Sequence, residues 1–245
     1  MHYDSAVGHL GGNLSVIDIL VLLFLEYKKK GDKIILSKGH STGAIYVCLA
    51  LAGKINEEEL STFHKNDTRL PGHPPSNLFE EIPFATGSLG HGLSLASGMS
   101  LADQIDGKSN KNIVILGEGD CYEGPTWEAA LFASQHKLSN LVGVLDRNKL
   151  IANDATEDIN TLEPIVEKWN SFGWAVYLID GHDFSQLNKI FDKVFQNKIG
   201  KPSMIIAKTI KGKGVSFMEN QVSWHHGSIN EKNFLIAKSE LEAQG

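Results

Sequence analysis

At 245 residues, 42% of them hydrophobic, the chain is long enough to bury one large core. Its net charge of −6 leaves no basic footprint for nucleic acid. Two cysteines, Cys48 and Cys121, stand far apart in unlike contexts and form no metal-spaced pair, and the longest apolar run, Ile19 to Leu25, falls short of the about 20 residues a membrane helix needs.

Taken in chain order, the pattern alternates as an α/β fold demands. A first buried helix is predicted to be capped near Ser15, with Asp18 completing the cap, and Lys28-Lys29-Lys30 reads as its solvated end. A short strand follows near 34–37, then a helix over 42–52 that carries Cys48 as a small core residue, and an acidic helix over 57–64. Residues 66–92 hold prolines, glycines and histidines in an irregular stretch long enough to suggest function. Beyond it the spacing predicts a helix over 93–105, a strand at 112–116, a helix at 124–133, a strand at 141–145 and a helix around 162–172. A strand at 175–179, a helix at 184–196, a strand at 204–208 and a last helix from about 230 to 242 complete the series. One α/β domain spanning 1–245 is expected, with a mostly parallel sheet and helices on both faces.

The most informative pair is Glu118 and Asn148. Each ends an apolar strand run, and the helix between them makes the unit a βαβ crossover with its polar groups at the carboxyl ends of parallel strands, where open α/β sheets place ligands. A carboxylate, an amide and nearby carbonyls are hard oxygen donors suited to Mg²⁺ or Ca²⁺. The glycines of Gly117-Glu118-Gly119 allow close approach to phosphate, although a plain strand-to-helix turn gives the same pattern. Among the ten histidines, His9, His40, His73 and His91 each follow a glycine in a Gly-rich turn, where an imidazole can exchange protons near neutral pH; most others read as structural. Lys208 and Lys211 could each approach phosphate, while Cys121 has no evident base to activate it.

Gly117-Glu118-Gly119 followed by Asn148 resembles the thiamine diphosphate signature, and the surrounding sequence resembles the amino-terminal, diphosphate-binding part of transketolase. Matching blocks cover nearly the whole chain, among them Gly8-His9-Leu10-Gly11-Gly12, Leu36-Ser37-Lys38-Gly39-His40, Pro71-Gly72-His73, Thr86-Gly87-Ser88-Leu89-Gly90 and Lys211-Gly212-Lys213-Gly214. The resemblance implies a thiamine diphosphate-binding fold, thiamine diphosphate with Mg²⁺ (or Ca²⁺) as cofactors, and transfer of a two-carbon ketol unit between sugar phosphates. It implies a metal held by Glu118, Asn148 and the Leu150 carbonyl. It places His40, Gly119, Lys208 and either His225 or His226 on the diphosphate, Gly87 and Leu89 on the aminopyrimidine, and Ile151 on the thiazolium. His9 and His73 would handle substrate protons, and Glu123 would link two cofactor sites.

Three departures qualify the match. The family's metal-binding Asp is Glu118 here, so that either the loop has adapted to the longer side chain, or Asp120 ligates instead, or metal binding is impaired. Trp224-His225-His226-Gly227 aligns in two ways. Only Met1 to Val7 precede the first matching block, where the family places a helix. No pyrimidine-binding domain follows the last block, so the chain is expected to be the amino-terminal subunit of a split, cytoplasmic transketolase. A second subunit would carry the pyrimidine-binding and carboxy-terminal domains, self-association is expected, and neither a membrane nor a nucleic acid is an expected partner. Rival readings are another thiamine diphosphate enzyme, such as a deoxyxylulose phosphate synthase-like or sugar-tailoring enzyme, and a non-catalytic scaffold.

Overall fold

Five apolar runs pair into one parallel sheet in a computed structural model that describes residues 1–196 and 199–243. The strands are β1 (Lys33–Leu36), β2 (Asn112–Gly117), β3 (Leu141–Arg147), β4 (Ala175–Asp180) and β5 (Ser203–Lys208), in the spatial order β1-β2-β3-β5-β4. Central strands of a parallel sheet are covered on both faces and therefore read as continuous apolar runs. All seven residues of β3 are buried, whereas β4, at the edge, is only half covered.

Alternation along the strands divides the core in two. Ile113, Ile115 and Val144 face one layer, packed beneath α2 (Leu10–Leu22), α3 (Thr42–Leu51) and α8 (Phe184–Gln196). Val114, Leu116 and Leu145 face the other, beneath α4 (Gly92–Ile105), α5 (Gly124–Gln135) and α7 (Ile165–Ser171). Two further short helices are α1 (His2–Ser5) and α6 (Thr156–Ile159), and α9 (Glu231–Glu242) packs through Phe234 on Tyr3, with stacked rings 4.4 Å apart. The expected α/β sheet with helices on both faces is thus the observed one, and it is parallel throughout.

Four elements differ from expectation. The first helix starts at Leu10, not near Ser15: Ser15 lies buried inside it, with its hydroxyl on Gly12 O and Asp146 rather than on a helix end. The acidic segment forms a 3₁₀ helix, Glu57–Thr62, in place of a longer helix. α6 stands in a stretch with no predicted helix, and α7 starts three residues later than expected. α2 runs on through a π-helical turn, Leu23–Tyr27, so Leu10–Tyr27 is long and apolar enough to cross a membrane by length and composition; 56% of it is buried against the sheet and α3, as a core helix would be.

Candidate functional site

The carboxyl ends of β2 and β3 and the segment after β5 enclose a cavity of about 250 Å³ lined by Gly12, Lys38, His40, Leu89, Glu118, Gly119, Tyr122, Glu123, Asn148, Leu150, Ile151, Lys211 and His225. Its floor is a buried polar cluster. Asp146, at the end of β3, accepts from Ser15 Oγ at 2.6 Å and, in close contacts, from Lys38 Nζ and Thr209 Oγ1; Lys38 also donates to Gly12 O at 3.1 Å. A buried carboxylate needs such partners. Although burial opposes its ionisation, Lys38, Ser15 and Thr209 together hold Asp146 below the usual carboxylate range. The glycines serve approach here: a Cβ on Gly11 would lie 2.6 Å from Trp224 O, and one on Gly12 would lie 3.0 Å from Ser41 Oγ.

β2 ends in a 3₁₀ turn, Glu118–Tyr122, tied down by Asp120. That carboxylate accepts from Ser37 Oγ at 2.5 Å, Gly90 N at 2.8 Å and Gly117 N at 2.7 Å, so it fastens three segments together and does not line the cavity. Glu118 does line it. Its carboxylate accepts from Lys149 N at 3.0 Å and Thr156 Oγ1 at 2.8 Å, and forms a close ion pair with Arg147, which also holds Glu157 at 2.6 Å and Glu163 at 2.9 Å. Burial raises the Glu118 carboxyl, and the Arg147 guanidinium opposes that rise. Asn148 Oδ1 accepts from Leu150 N at 3.1 Å.

Lys211 closes the far side. Its ammonium, on a side chain 2% exposed, donates to Leu150 O at 3.1 Å and Ile151 O at 3.4 Å and lies 2.9 Å from His225 Nδ1, so its hydrogen-bond partners are all neutral acceptors. Burial, reinforced by Lys38, lowers it to about 8. Over the mouth, five imidazoles pack together: His9 lies 5.1 Å from His40, 6.1 Å from His73, 5.4 Å from His225 and 4.6 Å from His226, centre to centre. Burial, helped by His226 and His73, pushes His9 down to about 4; burial and Lys211 push His225 to about 3; burial also lowers His40 and His73. These four rings are therefore uncharged at neutral pH, able to accept or pass a proton.

The structure brings most of the expected residues together and separates a few. Lys208, expected as a cofactor contact, is exposed at the end of β5 and lies outside the cavity; Lys211, three residues on, reaches it. His225 lines the cavity and meets Lys211, whereas His226 is exposed and packs on His9. Gly87, at φ +150°, leaves only 3.0 Å between a Cβ and the His73 ring. Glu123 lines the rim at the start of α5, and His91 is exposed. His182 ties two segments together: Nδ1 lies 2.7 Å from Asp18 Oδ2, and Nε2 accepts from Ile210 N at 2.9 Å. Sequence reasoning assigned no role to Lys38, Asp146 or Arg147. Lys38 stands within a matching block, and Asp146-Arg147 directly precede Asn148, so only the polarity of a strand end flagged them.

A parallel sheet with an anion-ready cavity beyond its carboxyl ends defines a cofactor-binding α/β domain. Residues 4–244 match the family described as transketolase, thiamine diphosphate binding domain, and the chain belongs to that family. It is 40% identical over 248 residues to the 6-deoxy-6-sulfo-D-fructose transketolase subunit SqwG of Clostridium sp. (strain MSTE9), covering 98% of this chain and 90% of that protein. It is 39% identical to an apulose-4-phosphate transketolase subunit of Actinobacillus succinogenes, covering 98% of this chain and 89% of the relative. The transketolase structure from Campylobacter jejuni superposes with a TM-score of 0.89 at 27% identity, over 98% of this chain and 40% of that one.

Proposed function

We propose that the chain is the thiamine diphosphate-binding subunit of a two-chain transketolase, moving a two-carbon ketol unit between sugars that carry a terminal anionic group. The observation that carries this reading is Lys211: a buried ammonium at the cavity wall, bonded among the described residues only to neutral acceptors, keeps its charge available to an anionic ligand. The donor set suits a hard divalent cation, since Glu118, Asn148 Oδ1 and Leu150 O are all oxygens. Leu150 O already holds a positive charge, the Lys211 ammonium, which stands in for a cation there. Subunit names of the relatives, one a sulfonated and one a phosphorylated sugar transketolase, support both the two-chain organisation and the anionic sugar.

In this reading Glu118, Asn148 and Leu150 hold the metal, and Lys211, His225, His40 and the Gly119 backbone hold the diphosphate. Leu89 and Gly87 meet the aminopyrimidine, and Ile151 packs on the thiazolium. The cofactor supplies the electron sink for breaking and making the carbon–carbon bond. The chain's own residues orient and exclude water: Tyr122, Leu89 and Ile151 give the cavity apolar walls. His9 and His73, kept neutral by partial desolvation, accept and return hydroxyl protons of the sugar. Glu123, at the rim, faces the second site of an assembled enzyme.

Calorimetry of the chain with thiamine diphosphate tests the site, and a ketol-transfer assay with and without a second chain carrying the pyrimidine-binding domain tests the division of labour. Expected are metal-dependent binding that Asn148→Ala abolishes, and turnover only in the mixture. Unchanged binding by Asn148→Ala, or turnover by the purified chain alone on the order of 1 per second, would overturn the reading.

A further inference from the structure

Glu118 and Arg147 are unusual neighbours for a cation site. The two oxygens of the Glu118 carboxylate are not equivalent: among the described residues, Oε1 accepts from both the Arg147 guanidinium and Lys149 N, while Oε2 accepts only from Thr156 Oγ1 at 2.8 Å. A carboxylate offers about four lone-pair sites, two on each oxygen. Oε1 is therefore filled by protein donors, and one site on Oε2 is left for a ligand in the cavity that Glu118 lines.

Arg147 is firmly held in that arrangement. Its side chain is 3% exposed, and its second terminal nitrogen donates to Glu157 at 2.6 Å and to Glu163 at 2.9 Å, both on the segment that follows β3. Arginine keeps its charge when buried and presents its donors as a rigid fork, so Oε1 cannot easily be released to a competing ion.

We propose that Arg147 is a positioning residue that turns Glu118 into a one-oxygen ligand and thereby sets the site's preference for Mg²⁺ over Ca²⁺. Mg²⁺ keeps a strict octahedron at about 2.0–2.1 Å and takes single carboxylate oxygens, whereas Ca²⁺ collects about 6–8 oxygens at 2.3–2.6 Å and gains from carboxylates that bind through both. A carboxylate with one oxygen filled supports the first and starves the second. The Glu118 side chain is long enough to reach Arg147 in a close ion pair. This inference rests on reading the cavity as the thiamine diphosphate site.

The test is calorimetric titration of the full chain with thiamine diphosphate at varied MgCl₂ or CaCl₂, giving the half-saturating concentration of each ion. The unaltered chain should need more Ca²⁺ than Mg²⁺, and Arg147→Met should lower the Ca²⁺-to-Mg²⁺ ratio by about tenfold, the scale of losing a group that orients a metal ligand. Arg147→Lys keeps the charge but not the fork, and should lower the ratio less; it keeps the test decisive if the Met variant does not fold. Loss of a merely structural contact weakens both ions alike and leaves the ratio unmoved. An unchanged ratio in either folded variant, or a wild-type chain that prefers Ca²⁺, overturns the role of Arg147 while leaving the cofactor site standing. Absence of any binding heat from the unaltered chain with either ion overturns both.

Discussion

In the proposed reading, Lys211 is the residue on which anion binding turns. With burial holding its ammonium at about 8, the group is charged at neutral pH and loses its proton just above it. Replacing it by methionine keeps the apolar stem and removes a charged hydrogen bond of about 1.5–3 kcal/mol. Lys211→Met should therefore weaken thiamine diphosphate binding by about tenfold or more, and the native affinity should fall as pH rises past about 8 while that of the variant stays level; both are read by calorimetry from neutral pH to well above 8. In the sequence Lys208 and Lys211 looked alike, both on a basic stretch after an apolar strand. They differ only in the turn after β5, which points one into solvent and the other under Leu150 and Ile151. The partners of Glu118 were equally hidden: Arg147, Lys149 and Thr156 are about thirty to forty residues away, and β2–β3 pairing brings them close.

At the scale of elements, the contact between the start of α2 and the segment from Lys211 to Trp224 holds the cavity closed. Gly212 N donates to Gly11 O at 2.9 Å, and His182 fixes the same segment from behind through Ile210 N. A methyl group on Gly11 meets the Trp224 carbonyl, which is backbone and cannot swing aside. Gly11→Ala is expected to cost about 1–3 kcal/mol by overpacking, lowering the thermal midpoint and displacing His225, so cofactor affinity should drop with stability. An alanine variant with unchanged midpoint and affinity would show that the contact is slack. This close approach also explains why the helix start was misread from sequence. Ser15 and Asp18 have the spacing of a capping pattern, which placed the helix start near Ser15, and Gly11-Gly12 are poor helix formers. Tertiary contact outweighs that local preference. The strands and the helices α3, α4, α5, α8 and α9 were legible because their apolar spacing is regular and their ends carry ordinary turn residues.

For the whole molecule, the half-buried neutral rings predict sensitivity to acid. His9 and His2 titrate near 4 and His225 near 3 in the folded chain, against about 6.5 when unfolded. Because the folded values are depressed, the unfolded chain binds protons first as pH drops. The contribution of these rings is complete above pH 6.5 and is lost as pH falls toward about 4. The thermal midpoint should decline steadily as pH falls from about 6.5 toward 4, and a flat profile would contradict the burial of these side chains. The α/β class and the family were readable from sequence because motif blocks recur in order along the chain. Where apolar surface remains was not readable: Leu89 and Ile151 are half-buried in the cavity wall, while Leu131 and Phe132 on α5 and Ile105 at the end of α4 are exposed.

The strand order has a consequence for how the protein is made. β5 follows β4 in the chain but lies between β4 and β3, so a nascent polypeptide that has emerged only through α8 holds a three-stranded sheet and an unattached fourth strand. Inserting β5 is the step that completes the sheet, and Thr209 and Lys211 arrive with it at the sheet's carboxyl edge. Until then Asp146 lacks the Thr209 hydroxyl among its donors and the cavity lacks its far wall. The cavity is therefore complete only once the chain through His225 is in place.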